Sequence, residues 1–478
     1  MGITGKFFNL IRNIYTTDEA CVKLGKHRSA FFKLNIGVRQ GCILSPLLFN
    51  LFICDLAKKF DAMEDKFQIG ENSINSLFWA DDLILFAKTK EGLDQLLKTL
   101  ETYCVENHLL INTKKTKCMI FNKTGRLMRR PFYLNGVKLE MVRSYKYLGF
   151  VITPSGEIGT GLQDLRDRAM KGFMKMKNDM GTTFNQDIPT SLSLIDSLIK
   201  PILLYASDFW GCLKLPKNNP IENLHMMMCK QILGVQKQTT NIGVLLELGR
   251  TPLSLWATKY AIKNWERIHL GQGNEILING YNDSDMSWGT RIRATLELND
   301  MLNFFDSESN SNYPFVYLKV FKKNYDDFHQ TSFDGIKRDE SKLRTYSLFK
   351  TEIGLERYLL ETKNVIERVA TTKFRLSNHK LMIEVGRHDD TPRERRFCPF
   401  CPHAIENESH FMFSCQTYSH LRERYLRPKT NNIQNFQFLP HDAKLQALLS
   451  DIDRGTTKYI SKSMELRAFL ISKPRRQD

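Results

Sequence analysis

Asn75-Ser76-Leu77-Phe78-Trp79-Ala80-Asp81-Asp82-Leu83-Ile84-Leu85-Phe86-Ala87 is two apolar runs broken only by a pair of carboxylates. Runs of that length, split by a short polar step, predict a strand, a tight turn and a returning strand. Asp81 and Asp82 then stand at a hairpin tip beside an apolar sheet. Bare carboxylates are costly there, and a hard divalent cation such as Mg²⁺ would neutralise them. Phosphoryl transfer uses two such ions about 4 Å apart, one on the attacking oxygen and one on the leaving oxygen. Taken alone, the pair is better read as a solvated Asp-Asp turn.

Outward from the hairpin, helix and strand signals alternate. Ser45-Pro46 ahead of the apolar run Leu47 to Leu56 marks a helix start, since Ser caps well and Pro fits the first helical position. Leu93, Leu96, Leu97, Leu100 and Cys104 recur at helical spacing. Short strands are expected from Cys118 to Phe121 and from Tyr145 to Ile152, and Asn135-Gly136 between apolar triplets marks a hairpin. From about Gly161 to Leu270 the pattern is helical, with Leu162, Leu165, Ala169, Phe173 and Met176 on one face. Met226, Met227 and Met228 read as core filler. The polar stretches between Asn282 and Asn312 read as loop or linker, and helices resume near Lys342. The fold class is therefore α+β: an antiparallel sheet with helices, then a long helical remainder.

The 478 residues carry a formal net charge of +17. A charge of that size suits a polyanionic partner, of which nucleic acid is the commonest. At 42% hydrophobic and 25% charged residues the chain is globular rather than disordered. No apolar run is long enough for a membrane span, and the first residues do not form a signal peptide, so the expectation is neither membrane-bound nor secreted. Ten cysteines are too few for a disulfide scaffold.

Three of those cysteines cluster late, as Cys398-x2-Cys401-x8-His410-x4-Cys415. Three thiolates and an imidazole make the closed tetrahedral set that structural Zn²⁺ prefers, although His403 or His420 could replace His410 by position. Residues 107–139 hold Lys114, Lys115, Lys117, Lys123, Arg126, Arg129, Arg130 and Lys138, with no acid. Phe121, Phe132 and Tyr133 are interleaved. That combination suits phosphates tracked by cations and bases stacked on rings, or equally a solvated basic loop.

Several segments then agree in order and spacing. They are Gly37-Val38-Arg39-Gln40-Gly41-Cys42-Ile43-Leu44-Ser45-Pro46-Leu47-Leu48-Phe49-Asn50, the hairpin Phe78-Trp79-Ala80-Asp81-Asp82, Leu110 to Lys117, and Tyr145-Lys146-Tyr147-Leu148-Gly149. Together they resemble the palm of a reverse transcriptase of the non-LTR (LINE-type) retrotransposons. Pro201 to Tyr205 with Trp210-Gly211, then Glu247-Leu248-Gly249-Arg250, resemble the helical thumb and the region beyond it. The resemblance implies a partial palm over 1–155, a helical thumb and connection over 156–340, and a helical C-terminal region over 341–478 with a zinc knuckle at 398–415. It favours His410 as the fourth ligand through Glu408-Ser409-His410-Phe411. It also implies RNA-directed DNA synthesis on an RNA template from a DNA primer, in a nuclear or cytoplasmic ribonucleoprotein. Asp81 and Asp82 would bind the catalytic Mg²⁺ ions, and Lys115 or Lys117 would neutralise the leaving pyrophosphate. Arg39, Gln40 and Gly41 would meet nucleotide and template, and Tyr147, Leu148 and Gly149 would grip the primer.

Two departures qualify the resemblance. Trp79 stands where the family usually has Tyr or Phe. The family's first catalytic Asp belongs to a strand that would precede Gly2, and Asp18 and Glu19, in Thr16-Thr17-Asp18-Glu19, do not match its motif. The expectation is a truncated copy, inactive as given. The alternative is a non-catalytic zinc- and nucleic-acid-binding protein derived from such an element.

Overall fold

A computed structural model describes residues 4–34, 37–121, 131–282, 287–305, 315–338 and 342–472. These fall into two units, one built from residues up to Val142 and one from Arg143 onward.

In the first unit, α1 (Gly5–Thr16) buries no side chain. Ser45 and Pro46 open α2 (Ser45–Asp61), as their chemistry suggests. The acidic hairpin follows as β1 (Ser76–Trp79) and β2 (Asp82–Leu85), an antiparallel pair. Thr89 caps α3 (Lys90–Glu106) by accepting the Gly92 N–H. The periodic leucines of α3 meet Leu56 and Phe60 of α2 in a small core, with Leu134 and Leu139 closing it. Phe78, Leu83 and Leu85 of the hairpin pack against that core, and the Phe60 and Phe78 rings stack at 6.2 Å.

The expected antiparallel sheet is not continuous. Among the described residues the strands pair only two by two. One of those pairs, β3 (Lys117–Cys118) with β4 (Glu140–Met141), is parallel. The acidic hairpin buries its apolar face on the helices instead. The Asn135-Gly136 hairpin forms as read, with both residues at positive φ.

The second unit opens with β5 (Tyr145–Tyr147) and β6 (Phe150–Ile152), antiparallel about a turn at Leu148-Gly149. The sequence pattern predicts a single strand there. Leu148 and Gly149 both take positive φ, which folds the run back on itself. In α4 (Gly159–Met180) the face from Leu162 to Met176 is buried as its spacing predicts. Pro220 begins α5 (Pro220–Leu233) and left-handed Gly234 ends it, with Met226 and Met228 in the core. Then come α6 (Leu253–His269) and α7 (Val316–Lys337). The expected linker between Asn282 and Asn312 contains a helix, Ser287–Leu298, whose Ile292 and Leu296 pack on Trp265. Apolar residues at i and i+4 outweigh the polar composition around them. Residues 307–312 and the basic tail lie outside the described residues.

One continuous core runs from Phe150 to Ile460. Inside it α8 (Val365–Arg375) lies against α9 (Arg454–Ser472). No helix among the described residues is long and apolar enough to cross a membrane.

Candidate active site and metal centre

The β1–β2 register pairs Phe78 with Leu83 on the core side, and Trp79 with Asp82 on the other. Ala80 turns the corner at φ +53°, and Asp81 follows it at the tip. Trp79, Asp81 and Asp82 are all exposed. The hairpin thus holds two carboxylates, unpaired among the described residues, on a tip whose other face packs on the core. Among the described residues no third carboxylate, cysteine or histidine is close enough to share an ion with them.

Arg39 does not point freely outward. Its Nε lies 2.5 Å from Oδ2 of Asp18, which is only 7% exposed. The Ser45 hydroxyl donates to the Arg39 carbonyl at 2.6 Å, tying the same loop to the start of α2. Gln40 and Gly41 are exposed beside it, and Gly41 takes φ +83° with open space where a Cβ would stand. Glycine is needed there for the turn itself.

Asn112 organises the lysine segment, its side chain accepting the Lys115 N–H at 3.1 Å. Lys114 and Lys115 are exposed, whereas Lys117 is held 2.6 Å from Glu140. Lys123, Arg126, Arg129 and Arg130 lie outside the described residues.

In the second unit, the Leu148-Gly149 turn is clamped from one side. Tyr205 donates its hydroxyl to the Leu148 carbonyl, and Arg168 donates to the Gly149 carbonyl at 2.7 Å. A Cβ on Gly149 would stand 3.1 Å from the Tyr205 oxygen. Tyr147 and Phe150 pair across the bend, with Leu148 in the bend itself.

Cys398, Cys401, His410 and Cys415 come together, their ligand atoms all within 4.8 Å of one another. His403 and His420 are exposed and stand outside this group. A bridge between Phe397 and Ile405 closes the loop that carries the first two cysteines. Cys401 and Cys415 sulfurs are 3.6 Å apart, and Cys398 and Cys415 sulfurs 3.9 Å. The Cys398 thiol, hydrogen-bonded to Cys415, holds the Cys415 thiol well below the usual thiol range, toward the ionised form a metal binds. Among the described residues, Nε2 of His410 is buried with no hydrogen-bond partner. A buried orphan nitrogen facing three thiols is what a four-coordinate metal would satisfy. The residues therefore fit a bound metal ion.

The sequence comparisons bear on residues 3–152, which match the family model for "Reverse transcriptase (RNA-dependent DNA polymerase)". The chain carries a reverse transcriptase domain. It is 25% identical over 267 residues to the "Retrovirus-related Pol polyprotein from type-1 retrotransposable element R2" of Nasonia vitripennis, covering 50% of this chain and 25% of that protein. It is 22% identical over 239 residues to the "RNA-directed DNA polymerase from mobile element jockey" of Drosophila funebris, covering 48% and 25%. A third relative, from the "type-2 retrotransposable element R2DM" of Drosophila melanogaster, is 29% identical over 184 residues, covering 34% and 17%. The chain spans a quarter or less of the length of these relatives.

Within the reverse transcriptase domain, two anchors have no signal in the motifs. Asp18 belongs by sequence to a polar turn, yet it is buried and engaged by Arg39. Asp65 accepts the Lys88 and Thr89 N–H groups and the Thr89 hydroxyl, pinning the exit of the acidic hairpin. Beside the Cys/His cluster, Glu406 and Glu408 are bound by Arg467 and Arg344. Only the Glu408-Ser409-His410-Phe411 pattern points there.

Proposed function

We propose that the reverse transcriptase domain supplies the Asp81 side of an RNA-directed DNA polymerase site of the non-LTR type. The observation that carries this reading is the exposed Asp81-Asp82 tip inside the matched region. Mg²⁺ ions held there would supply Lewis-acid activation of a primer hydroxyl and charge stabilisation on the leaving pyrophosphate. The chain's own part is geometric. The hairpin presents both carboxylates without needing to rearrange, because its other face is fixed to α2 and α3.

Lys115 is the better candidate to meet the pyrophosphate, since Lys117 is occupied by Glu140. Gln40 and Gly41 offer an open turn for nucleotide and template, with Arg39 positioning that turn through Asp18. The Tyr147–Gly149 turn would grip the primer, and residues 156–340 would serve as thumb and connection. RNA template and DNA primer are the partners in this reading, within a nuclear or cytoplasmic ribonucleoprotein. The Cys398, Cys401, His410 and Cys415 centre would hold Zn²⁺, whose preferred donors these are.

Two-ion chemistry also needs a carboxylate facing Asp81. Asp18 is committed to Arg39. We therefore expect the chain by itself to bind primer–template but not to extend it.

The test is binding and primer extension on an RNA template with Mg²⁺, comparing the protein with Asp81→Ala. Binding without extension by either is the expected result. Extension lost in Asp81→Ala would establish a complete enzyme and overturn the expected inactivity. No binding of primer–template would sink the polymerase reading itself.

A further inference from the structure

Well away in sequence from the motifs of the reverse transcriptase domain, α6 and the start of α7 border a cavity of about 550 Å³. Its lining combines rings with cations. Tyr260, Lys263 and Arg267 recur at helical spacing along α6, and Phe315 and Tyr317 come from the entry to α7. Tyr260 and Phe315 are 37% and 65% exposed, and the Phe315 ring meets Tyr317 edge-on at 6.2 Å, so both keep ring surface for a ligand.

The cations here are exposed or half-buried and lie beside rings. Elsewhere in the unit, buried basic groups such as Arg375, Arg344 and Arg467 are consumed by carboxylates. Lys259 and Lys263 are instead poised over aromatic rings, Lys259 at 4.7 Å from Phe321 and Lys263 at 5.6 Å from Tyr317. Lys200 continues the same face, 3.5 Å above Trp256. Among the described residues, none of Lys200, Lys259, Lys263 and Arg267 makes a salt bridge, and rings leave a cation its full charge for an outside anion.

Two acids also line the cavity. Glu266 is spent on the fold, its carboxylate accepting the Val316 N–H at 3.1 Å where α7 begins. Asp208 is exposed and is an acceptor of the kind a sugar hydroxyl requires. A cavity of this volume has room for a base, a sugar and a phosphate together.

We propose that this cavity takes one nucleotide of a single-stranded nucleic acid, with its base on Tyr260 and Phe315 and its phosphate on Lys263 and Arg267. The strand continues along Lys259 and Lys200. An acidic peptide would use the cations but leave the open rings without a planar partner. This inference deepens the polymerase reading, on which it rests for a nucleic-acid partner, and places one contact within residues 156–340.

The test is photocrosslinking of the full chain to a short 5′-phosphorylated oligouridine carrying 4-thiouridine, with adducts mapped by mass spectrometry. Adducts on the segments 259–267 or 315–321 are expected. In the double variant Lys263→Glu, Arg267→Glu their yield should fall about tenfold, while adducts elsewhere in the chain keep theirs. A second variant, Tyr260→Ala, should lower the same adducts and leave the thermal midpoint unchanged, since the residue is on the surface. Uridine monophosphate in excess separates two sources of one chemistry. Competition at equal phosphate concentration assigns the cavity to a free nucleotide and overturns the strand, and failure to compete assigns it to a strand. No adduct on either segment at a saturating oligonucleotide concentration, or equal yield in both variants, overturns the proposal. Primer–template binding by the unmodified chain reports separately on the polymerase reading: binding kept without adducts on either segment overturns this site alone.

Discussion

The Nε of Arg375 lies 2.7 Å from the carboxylate of Glu247, and neither side chain is more than 1% exposed. Tyr346 and Tyr358 donate to the same carboxylate at 2.8 and 2.6 Å, and Arg375 reaches Glu356 as well at 2.7 Å. Every lone pair and N–H of consequence is matched. A pair so placed is dangerous to break, because the survivor keeps its charge in a dry core.

Arg375→Met should therefore destabilise the second unit by about 3–5 kcal/mol. The check is the urea midpoint, followed by far-UV circular dichroism. A loss below about 1 kcal/mol would mean that water already reaches Glu247.

Asp65 gives a pH-dependent prediction. The Thr89 hydroxyl, followed by the Lys88 and Thr89 N–H groups, holds its carboxyl below the usual range. A carboxyl lowered by folding adds stability above its unfolded pKa of about 4. That stability is lost as pH falls through the lower, folded value. Asp65→Asn should thus cost about 1–2 kcal/mol at neutral pH and almost nothing near pH 2. Thermal midpoints of the two proteins, converging as pH falls from 6 to 2, would bear this out.

Gly149→Ala should cost about 1–3 kcal/mol, because φ there is +83° and the added carbon meets Tyr205. Adding Tyr205→Ala ought to relieve the contact but not the backbone strain. Only part of the loss would then return in the double variant, as read by thermal unfolding.

For the metal centre, elemental analysis should find one Zn²⁺ per chain, falling to near zero in Cys401→Ser with His410→Ala. Damage from losing the ion should spread beyond the loop. Cys398 and Cys415 share their core with Tyr459 and Ile460 of α9. Chelation should therefore expose amides of 454–472 to hydrogen exchange together with those of 398–418. Protection of α9 unchanged by chelation would show the loop to be separable.

Lys114→Glu with Lys115→Glu should weaken single-strand binding and flatten its salt dependence by roughly 0.7 for each phosphate no longer engaged. A filter-binding series across salt concentrations with an unchanged slope would remove these two lysines from the interface.

Much of this architecture is legible in the chain. The acidic hairpin, the helix start at Ser45-Pro46 and the four clustered metal-ligand candidates rest on local rules, where neighbours in sequence decide the outcome. The features that sequence conceals are long-range. Nothing near Asp18 announces Arg39, 21 residues on, and nothing near Glu247 announces Arg375. The Ser287–Leu298 helix is obscured by polar neighbours, since its burial depends on Trp265 in another helix. Tyr145 to Ile152 reads as one strand by its apolar pattern, while the resemblance implies a hairpin at Tyr147 to Gly149. The turn forms there, with Leu148 and Gly149 at positive φ and Tyr205 donating to the Leu148 carbonyl.

The 128 residues between Glu247 and Arg375 set a timetable for biosynthesis. At roughly 5–20 residues per second, the acid emerges some 6–26 s before its partner. The Leu449 carbonyl that also receives Arg375 comes 74 residues later still. Throughout that interval Glu247 must stay hydrated, so the ribosome-bound chain keeps an open apolar surface around it. The Arg375 cluster reaches its final form only after Leu449 has been made, and a nascent chain stalled before then is a substrate for chaperones and proteases.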